Sequence, residues 1–345
     1  MRAIFVSQCD TVMARAAVSG ASLAVPYDPP GTVTMFRSTV ILLLALTFPH
    51  QAAATNPYTS NIARAEAYLA TRFNPYLGLI YESDDSGTHW LTGDYPGFHW
   101  RYNQTYWLYS DNFFASLALQ ADYPRISNLI NASITRYQQP SSGVFEVVSG
   151  ERIQLPLHAA EDYMVAEGAN YVIMIRRHNS TALALNWLDL WLYEALEYDL
   201  EGNSRSAQFL LRRAGTMWTG SGFWDLSYLF THTYSNHKLA LFLFTAGALG
   251  IAVPGEDMML EHLWNMQNRD GGIASLANAT GGPIGSSNTE TTALTLLIYD
   301  HSLLARFPKA QLQNVEQSSA LLASVVAVAI VLSIIILRRK RKNPP

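Results

Sequence analysis

The sequence contains almost no cysteine. Its 345 residues include a single one, Cys9, which lies before the mature chain predicted below. The rest of the chain therefore has no thiol with which to form a disulfide or a thiolate metal site. Phosphate-binding glycine loops, metal-ligand motifs and a nucleophile–His–acid triad are also absent from the sequence. No cofactor and no metal ion are predicted.

Basic residues are also scarce. Between residues 55 and 319 the chain has 15 Lys and Arg against 25 Asp and Glu, a net charge of −10. Nucleic-acid binding through a basic surface requires the opposite balance. We therefore expect no nucleic-acid partner.

A targeting signal begins at Met35, in the stretch MFRSTVILLLALTFPHQAAAT. A basic residue, an apolar run and an A-x-A triplet follow one another in the order of a secretory signal peptide. We predict a signal peptide over 35–54 and interpret residues 1–34 as an upstream extension from a misassigned start. The alternative is a buried helix of an N-terminal domain.

A second apolar run lies near the other end. Ala320–Leu337 has 18 residues without a charge, and RRKRK follows immediately. Such a run with a basic flank is typical of a membrane span with its C-terminus in the cytoplasm. We predict a single-pass membrane protein with an extracellular domain over 55–307, a linker over 308–319, a transmembrane helix over 320–337 and a cytoplasmic tail over 338–345.

The predicted exterior part carries four N-x-S/T sequons. This placement agrees with the predicted topology, because such sites are glycosylated outside the cytoplasm. The asparagines of the sequons, each expected at the surface, are Asn103, Asn131, Asn179 and Asn278.

Between the two membrane signals, apolar periodicity predicts helices and little else. The best strand candidate is GVFEVVSG at 143–150. The predicted helices lie near 59–72, 106–120, 124–138, 161–177, 181–199, 203–217, 235–250, 256–267 and 288–304.

One segment carries a resemblance. LWNMQNRDGGIAS, a Gly-rich stretch and SSNTETTALTLLIYD follow one another over Leu263–Asp300. This order resembles the repeat of α/α toroids, such as the terpenoid cyclase and protein prenyltransferase superfamily and the six-hairpin glycosidases and polysaccharide lyases. The resemblance implies an all-α fold, a ring of helical hairpins.

The cyclase and prenyltransferase activities do not follow from this resemblance. The cyclase acid motif DxDD has only Ser83-Asp84-Asp85 as its nearest match, and the prenyltransferase zinc requires a cysteine that the mature chain lacks. The resemblance to glycosidases and lyases is what remains.

The stretch from Tyr81 to Asn112 is rich in aromatic and acidic residues. Sugars bind aromatic faces through their C–H surfaces, while carboxylates hold their hydroxyls. The alternative is that the rings only plug one end of the barrel. The candidate sugar-binding residues of this stretch are Trp90, Trp100, Tyr102 and Trp107.

Asp111 is the candidate general acid. It lies four residues after Trp107 and three before Phe114, on an apolar helix face, where a carboxylate is costly unless it is paired. A raised pKa there suits an acid catalyst, whereas the alternative is a satisfied structural carboxylate. The candidates for a second catalytic carboxylate are Asp94, Asp225 and Glu167.

A further cluster precedes the helix predicted at 235–250. Proton transfer is within the chemistry of its side chains. Lys238 is added as a substrate-binding candidate, against the alternative that its stem extends outward. The cluster comprises Asp225, His232, Tyr234 and His237.

Three acidic groups have structural interpretations. Glu161 and Asp162 are expected to open a helix. Ser287-x-x-Glu290 is predicted to be a capping box, although such a helix end also faces the cavity in toroids. Asp270-Gly271-Gly272 is predicted to be a turn.

Two functional hypotheses remain. The first is a membrane-anchored surface protein whose domain binds or cleaves an extracellular glycan between two carboxylates. The second is a non-catalytic surface receptor or scaffold. Carboxylates converging in an open aromatic-lined cavity would favour the first, and a filled interior would favour the second.

Overall fold

The computed structural model describes residues 56–84, 103–137, 141–179 and 187–308. These residues form helices together with three small sheets. The helices are α1 (Thr59–Thr71), α2 (Phe113–Ala118), α3 (Pro124–Arg136), α4 (Leu188–Leu200), α5 (Ser204–Gly215), α6 (Leu226–Thr231), α7 (Asn236–Leu249), α8 (Glu256–Asn265), α9 (Thr289–Leu297) and α10 (His301–Leu304).

The strands are short. A two-stranded sheet pairs β1 (Phe73–Asn74) with β2 (Leu79–Ile80). A second sheet has the order β3-β5-β4, formed by Gln104–Trp107, Tyr171–Arg177 and Glu161–Glu167. The third has the order β6-β7-β8, formed by Tyr234–Ser235, Ile273–Ala277 and Pro283–Asn288.

Three helical pairs follow one pattern, in which an apolar helix precedes a more polar one. They are α2 with α3, α4 with α5, and α7 with α8, and the members of each pair pack together. In α5 the buried residues are Ala207, Leu210, Leu211 and Ala214, which recur at helical spacing on one face. Asn203 begins this helix by accepting a hydrogen bond from the Ser206 N–H at 3.3 Å.

The α7 helix is the centre of the core. Twelve of its 14 residues are buried, and it packs against α4, α5, α8 and α9. A helix that is apolar on every side requires neighbours all round.

The all-α toroid expected from the sequence is wrong, because the structure mixes helices with three sheets. Residues 161–177, predicted to be a helix, form the β4–β5 hairpin. Gly168 lies at its turn and donates its N–H to the Tyr171 carbonyl at 2.9 Å. The apolar run that follows, Val172–Ile175, is buried in the central strand of its sheet.

Two shorter predictions are corrected too. Helix α2 begins at Phe113 rather than near 106, because residues 104–107 form a strand that pairs with β5. The strand expected at 143–150 is a 3₁₀ helix, Phe145–Ser149, which ends at Gly150 with φ of 85°. The predicted turn at Asp270-Gly271-Gly272 is confirmed, and the Gly271 N–H donates to the Asn268 carbonyl there.

The predicted membrane anchor is not found in the described part of the chain. None of the helices there is long and apolar enough to cross a bilayer. The run at 320–337 and the tail at 338–345 lie outside the described residues, as do the extension at 1–34 and the signal peptide at 35–54.

Candidate functional site

A cavity of about 580 Å³ opens between the β3-β5-β4 sheet and the N-terminal turns of three helices, α4, α7 and α9. Residues from each of these elements line it, together with Ser227 of α6 and Phe145 of the 3₁₀ helix. Helix N-termini direct free N–H groups into a shared space and favour polar ligands there. The cavity brings charged side chains from the sheet and from the three helices together.

Two carboxylates line the cavity without a hydrogen-bond partner among the described residues. Asp189, in the first turn of α4, has a buried Oδ1 with no hydrogen-bond partner in the described part of the chain. The Lys238 ammonium lies 3.8 Å from this oxygen, within ion-pair distance but too far for a hydrogen bond. Glu290, in the first turn of α9, makes no side-chain hydrogen bond or ion pair with the described residues.

The two cations of the cavity wall each have an acidic partner. Arg176 donates to both carboxylate oxygens of Asp162, at 2.8 and 3.1 Å. Lys238 is buried, forms an ion pair with Asp225 and donates to Ser227 Oγ at 2.9 Å. The alternative that Lys238 extends into solvent is therefore wrong. The cavity offers more unpaired acceptors than unpaired cations.

His178 adds another polar group. Its Nδ1 lies 3.0 Å from the His158 carbonyl oxygen, while its Nε2 is buried with no partner among the described residues. Burial lowers the pKa of His178. A neutral ring that donates from Nδ1 presents Nε2 as an acceptor.

Aromatic rings form the remaining wall. Trp187, Tyr193 and Phe145 line the cavity, and the rings of Phe145 and Tyr193 meet edge to face at 5.7 Å. Burial raises the pKa of Tyr193, and the charges of Glu290 and Asp189 raise it further. Tyr193 therefore lies within the electrostatic reach of both unpaired carboxylates.

Asp111 lies behind this wall. It does not line the cavity, and its side chain is 1 % exposed with an unpartnered Oδ2. Burial raises the pKa of Asp111 well above its ordinary value, and the nearby charges of Glu82 and Glu290 add to the shift. Arg176 and a backbone hydrogen bond from Glu290 oppose it. Burial and the neighbouring carboxylates therefore favour the protonated form of Asp111.

The backbone that carries Asp111 is strained. Leu108–Asn112 forms a π-helical turn, in which Ser110 has φ of 62° and ψ of −79°. Asn112 holds this turn by accepting from the Ile80 N–H at 2.7 Å and donating to the Trp107 carbonyl at 2.6 Å. Strained turns of this kind concentrate at functional sites.

The other candidate carboxylates have different surroundings. Glu167 is exposed on β4 and does not line the cavity, so the helix face proposed for it does not exist. Asp225 caps helix α6, where its Oδ1 accepts from the Ser227 N–H at 3.0 Å. Burial opposes the charge of Asp225, but the Lys238 ammonium and these hydrogen bonds lower its pKa overall.

Only some of the candidate ligand-binding residues line the cavity. His232 is exposed and ends α6 in a left-handed conformation. Tyr234 is buried and its ring stacks on Tyr228 at 4.5 Å. Trp107 is buried and lies 5.1 Å from the Arg176 guanidinium, behind the cavity wall. Lys238 and His237 line the cavity itself.

The structural interpretations of the acids also change. Asn288, not Ser287, caps α9 by accepting from the Thr291 N–H at 2.9 Å, so the capping box is wrong. Ser287 instead donates to Asp270 at 2.6 Å. Glu161 and Asp162 lie on a strand rather than at a helix start.

Several predicted residues fall outside the described part of the chain: Trp90, Asp94, Trp100 and Tyr102. The asparagines of three sequons, Asn103, Asn131 and Asn179, are exposed, and Asn278 is half-buried. The Asn278 side chain accepts from the Thr280 and Gly282 N–H groups, both at 2.9 Å.

Residues of the cavity that the sequence interpretation does not single out include Arg176, His178, Trp187, Asp189 and Tyr193. Arg176 lies within the helix wrongly predicted over 161–177, and His178 directly follows that range. A start of α4 at Leu188 rather than near 181 places Asp189 in its first turn. An acid in the first helical turn, two residues after Trp187, is the signal by which Asp189 is recognisable.

Comparison with known proteins gives no relative: no protein family, curated protein or solved structure matches the chain.

Proposed function

We propose that this protein hydrolyses a glycosidic bond in the cavity between Asp189 and Glu290. The observation that carries the proposal is a pair of carboxylates without close partners in a cavity lined by Trp187 and Tyr193. Glycoside hydrolysis uses two carboxylates on opposite sides of the bond, and aromatic faces hold sugar rings.

The surroundings of the two carboxylates suggest their roles. Glu290 lies close to the buried Asp111, whose protonated form burial favours, and passes a proton from that carboxyl to the leaving oxygen. Asp189, which has the Lys238 ammonium at 3.8 Å, serves as the base. It takes a proton from water as the water oxygen bonds to the anomeric carbon and the glycosidic bond breaks. Two hydroxyl products result.

Asp111 is a positioning residue in this proposal. It supplies the proton that Glu290 passes to the leaving oxygen, and the proton that Asp189 takes from water returns through solvent to the Asp111 carboxyl, so the cycle closes. Asp111→Asn retains the shape but cannot give up that proton. We expect kcat to fall about tenfold or more with little change in KM, together with an altered pH profile.

The test of the function is a hydrolysis screen with the full chain. Asp189→Asn and Glu290→Gln should each lower turnover of any cleaved oligosaccharide by about 10²–10⁴-fold, with an unchanged circular dichroism spectrum. Asp257→Asn, the same chemical change at an exposed site on α8, is the matched control and should retain full activity.

Outcomes other than cleavage decide between the remaining functions. Binding of oligosaccharides without cleavage would leave the non-catalytic receptor as the function. If no oligosaccharide of a broad panel is bound or cleaved, the glycan site is rejected. An outward-facing location rests on the sequence signals and stays a prediction.

A further inference from the structure

The charges of the cavity wall do not balance. Arg176 is neutralised by Asp162 and Lys238 by Asp225. Asp189 and Glu290 remain, and the described residues place no other cation against either carboxylate. A half-enclosed carboxylate loses hydration and favours a ligand that brings positive charge and donors.

The unpaired atoms point to the same ligand chemistry. Asp189 Oδ1 and His178 Nε2 are buried acceptors without partners among the described residues. An uncharged hydroxyl supplies one donor, whereas an ammonium group supplies three and a full charge. The acceptors on Asp189, Glu290 and His178 therefore match an ammonium group better than a hydroxyl.

The Trp187 ring supports this preference. It lines the cavity at the start of α4, and the Lys238 ammonium already lies 5.3 Å from its centre. Aromatic faces attract cations as well as the C–H faces of sugars. One wall of the cavity therefore suits a sugar ring that carries a positive charge.

We propose that the cavity selects an amino sugar with a free, protonated amine, held between Asp189 and Glu290. This inference rests on the proposed glycan site. An N-acetylated sugar has no charge and only one amide donor, and it leaves the two carboxylates unpaired in the closed cavity. The free amine is therefore the feature by which the site distinguishes its ligand.

The test compares sugars that differ at one group. Glucosamine, galactosamine and mannosamine are titrated into the full chain against their N-acetylated forms and the parent hexoses. We expect the free amines to bind about tenfold or more tightly, since hydrogen bonds to charged groups have that effect. The preference should shrink at about 0.5 M salt.

Substitutions assign the effect to the carboxylates. Asp189→Asn and Glu290→Gln should each reduce the preference for the amine by roughly tenfold, while binding of the neutral sugars changes little. Asp257→Asn on α8 should leave the preference unchanged. Retention of the fold is checked by circular dichroism for every variant.

The outcomes separate this inference from the proposed function. Equal or tighter binding of N-acetylated or neutral sugars would overturn the amine selectivity and leave the glycan site standing. Binding of none of the sugars would overturn both. An amine preference that survives both cavity substitutions would place amine recognition elsewhere and also overturn the inference.

Discussion

Two groups of carboxylates in this protein differ in their surroundings. Asp84 and Asp270 converge on Arg72, which donates to Asp84 Oδ2 at 2.7 Å and to Asp270 Oδ2 at 3.0 Å. The other Asp270 oxygen accepts from Ser287 at 2.6 Å and from the Gly272 N–H at 3.1 Å. In the cavity, by contrast, Asp189 and Glu290 have no such partners.

The difference separates acids that the fold holds in place from acids that are available to a ligand. The hydrogen bonds from Arg72 lower the pKa of Asp84, so this carboxylate stays charged. Through Asp270, the same network connects Ser287 of β8 to Arg72, which directly precedes β1. The side chains of Asp189 and Glu290 accept no hydrogen bond from the described residues, so these two carboxylates contribute little to the fold. A polar residue that the fold does not satisfy is available for a ligand.

The largest effect should come from breaking the most completely buried ion pair. Lys238→Met leaves the Asp225 carboxylate, 2 % exposed, without its cation. We expect a loss of about 3–5 kcal/mol in the free energy of unfolding, measured by urea denaturation. Adding Asp225→Asn should restore part of the loss, because Asn also caps a helix.

An exposed cation is the control for this substitution. Arg205→Met on α5 changes a surface residue with no ion pair among the described residues, and the free energy of unfolding should move by less than about 0.5 kcal/mol. A loss of comparable size in both variants would show that the Lys238 pair is not special.

Much of the helical part was predictable from the sequence. The helices near 59–72, 124–138, 203–217, 235–250 and 256–267 occur at nearly those positions, because apolar periodicity and breakers such as Gly202 and Pro254 are local signals. Their pairing follows from short connections between apolar and polar helices.

The sheets were not predictable in the same way. Val172–Ile175 is an apolar run that fits a buried helix or a central strand equally well. What decides is pairing with Gln104–Trp107, more than sixty residues earlier in the chain. The all-α expectation failed because strand pairing depends on such distant partners.

The candidate site was predictable only in part. The sequence singles out Asp111 for a correct reason, because it is a carboxylate in apolar surroundings. The α-helix predicted around it, however, begins only at Phe113, after that residue. Glu290 was assigned to a cap, because S-x-x-E is a local motif and the bond between Ser287 and Asp270 is not local. Which acids remain without partners depends on the whole fold.

The next largest loss of stability is expected at Gly271, in the turn that carries Asp270 of the Arg72 network. A Cβ at Gly271, where φ is +97°, would lie 2.4 Å from the Arg64 carbonyl oxygen. Gly271→Ala should therefore lower the free energy of unfolding by about 2 kcal/mol or more, measured by urea denaturation. Hydrolytic activity per folded molecule should not change.

Gly202→Ala is the matched control. Gly202 has φ of +77°, but nothing lies within 4 Å of the added carbon. It should cost only the left-handed strain, about 1 kcal/mol. Equal losses in the two variants would mean that the close approach to Arg64 contributes nothing.

A third prediction concerns an acid without a cation outside the cavity. Burial raises the pKa of Asp199 to about 6, and its Oδ2 has no partner in the described residues. The protonated form is favoured in the folded state, so this stability is present below the unfolded pKa and is lost as pH rises through about 6. Asp199→Asn should raise the free energy of unfolding by about 1–2 kcal/mol at pH 7 and change it little at pH 4.

Asp199→Asn also tests whether every unpartnered acid belongs to a ligand site. Asp199 has no sign of a ligand, since it lies in the last turn of α4 and away from the cavity. Activity should therefore be unaffected while stability rises. Lower stability of Asp199→Asn at pH 7 would mean that the charged form has a partner in solution.

The smallest effect is expected at a pair of acids near the surface. Burial raises the pKa of Glu66 to about 7, and the charge of Asp122 and a hydrogen bond to it add to the shift. The sign is the same as for Asp199: the stabilisation is present below the unfolded pKa and is lost as pH rises through about 7. Glu66→Gln, which resembles the protonated form, should raise the free energy of unfolding at pH 8 by about 0.5 kcal/mol, since solvent screens the exposed Asp122.

Asp122→Asn should give a similar gain at pH 8, because it removes the other charge of the same repulsion. The double variant should gain less than the sum of the two, and full additivity in urea denaturation at pH 8 would show that the two carboxyl groups do not interact.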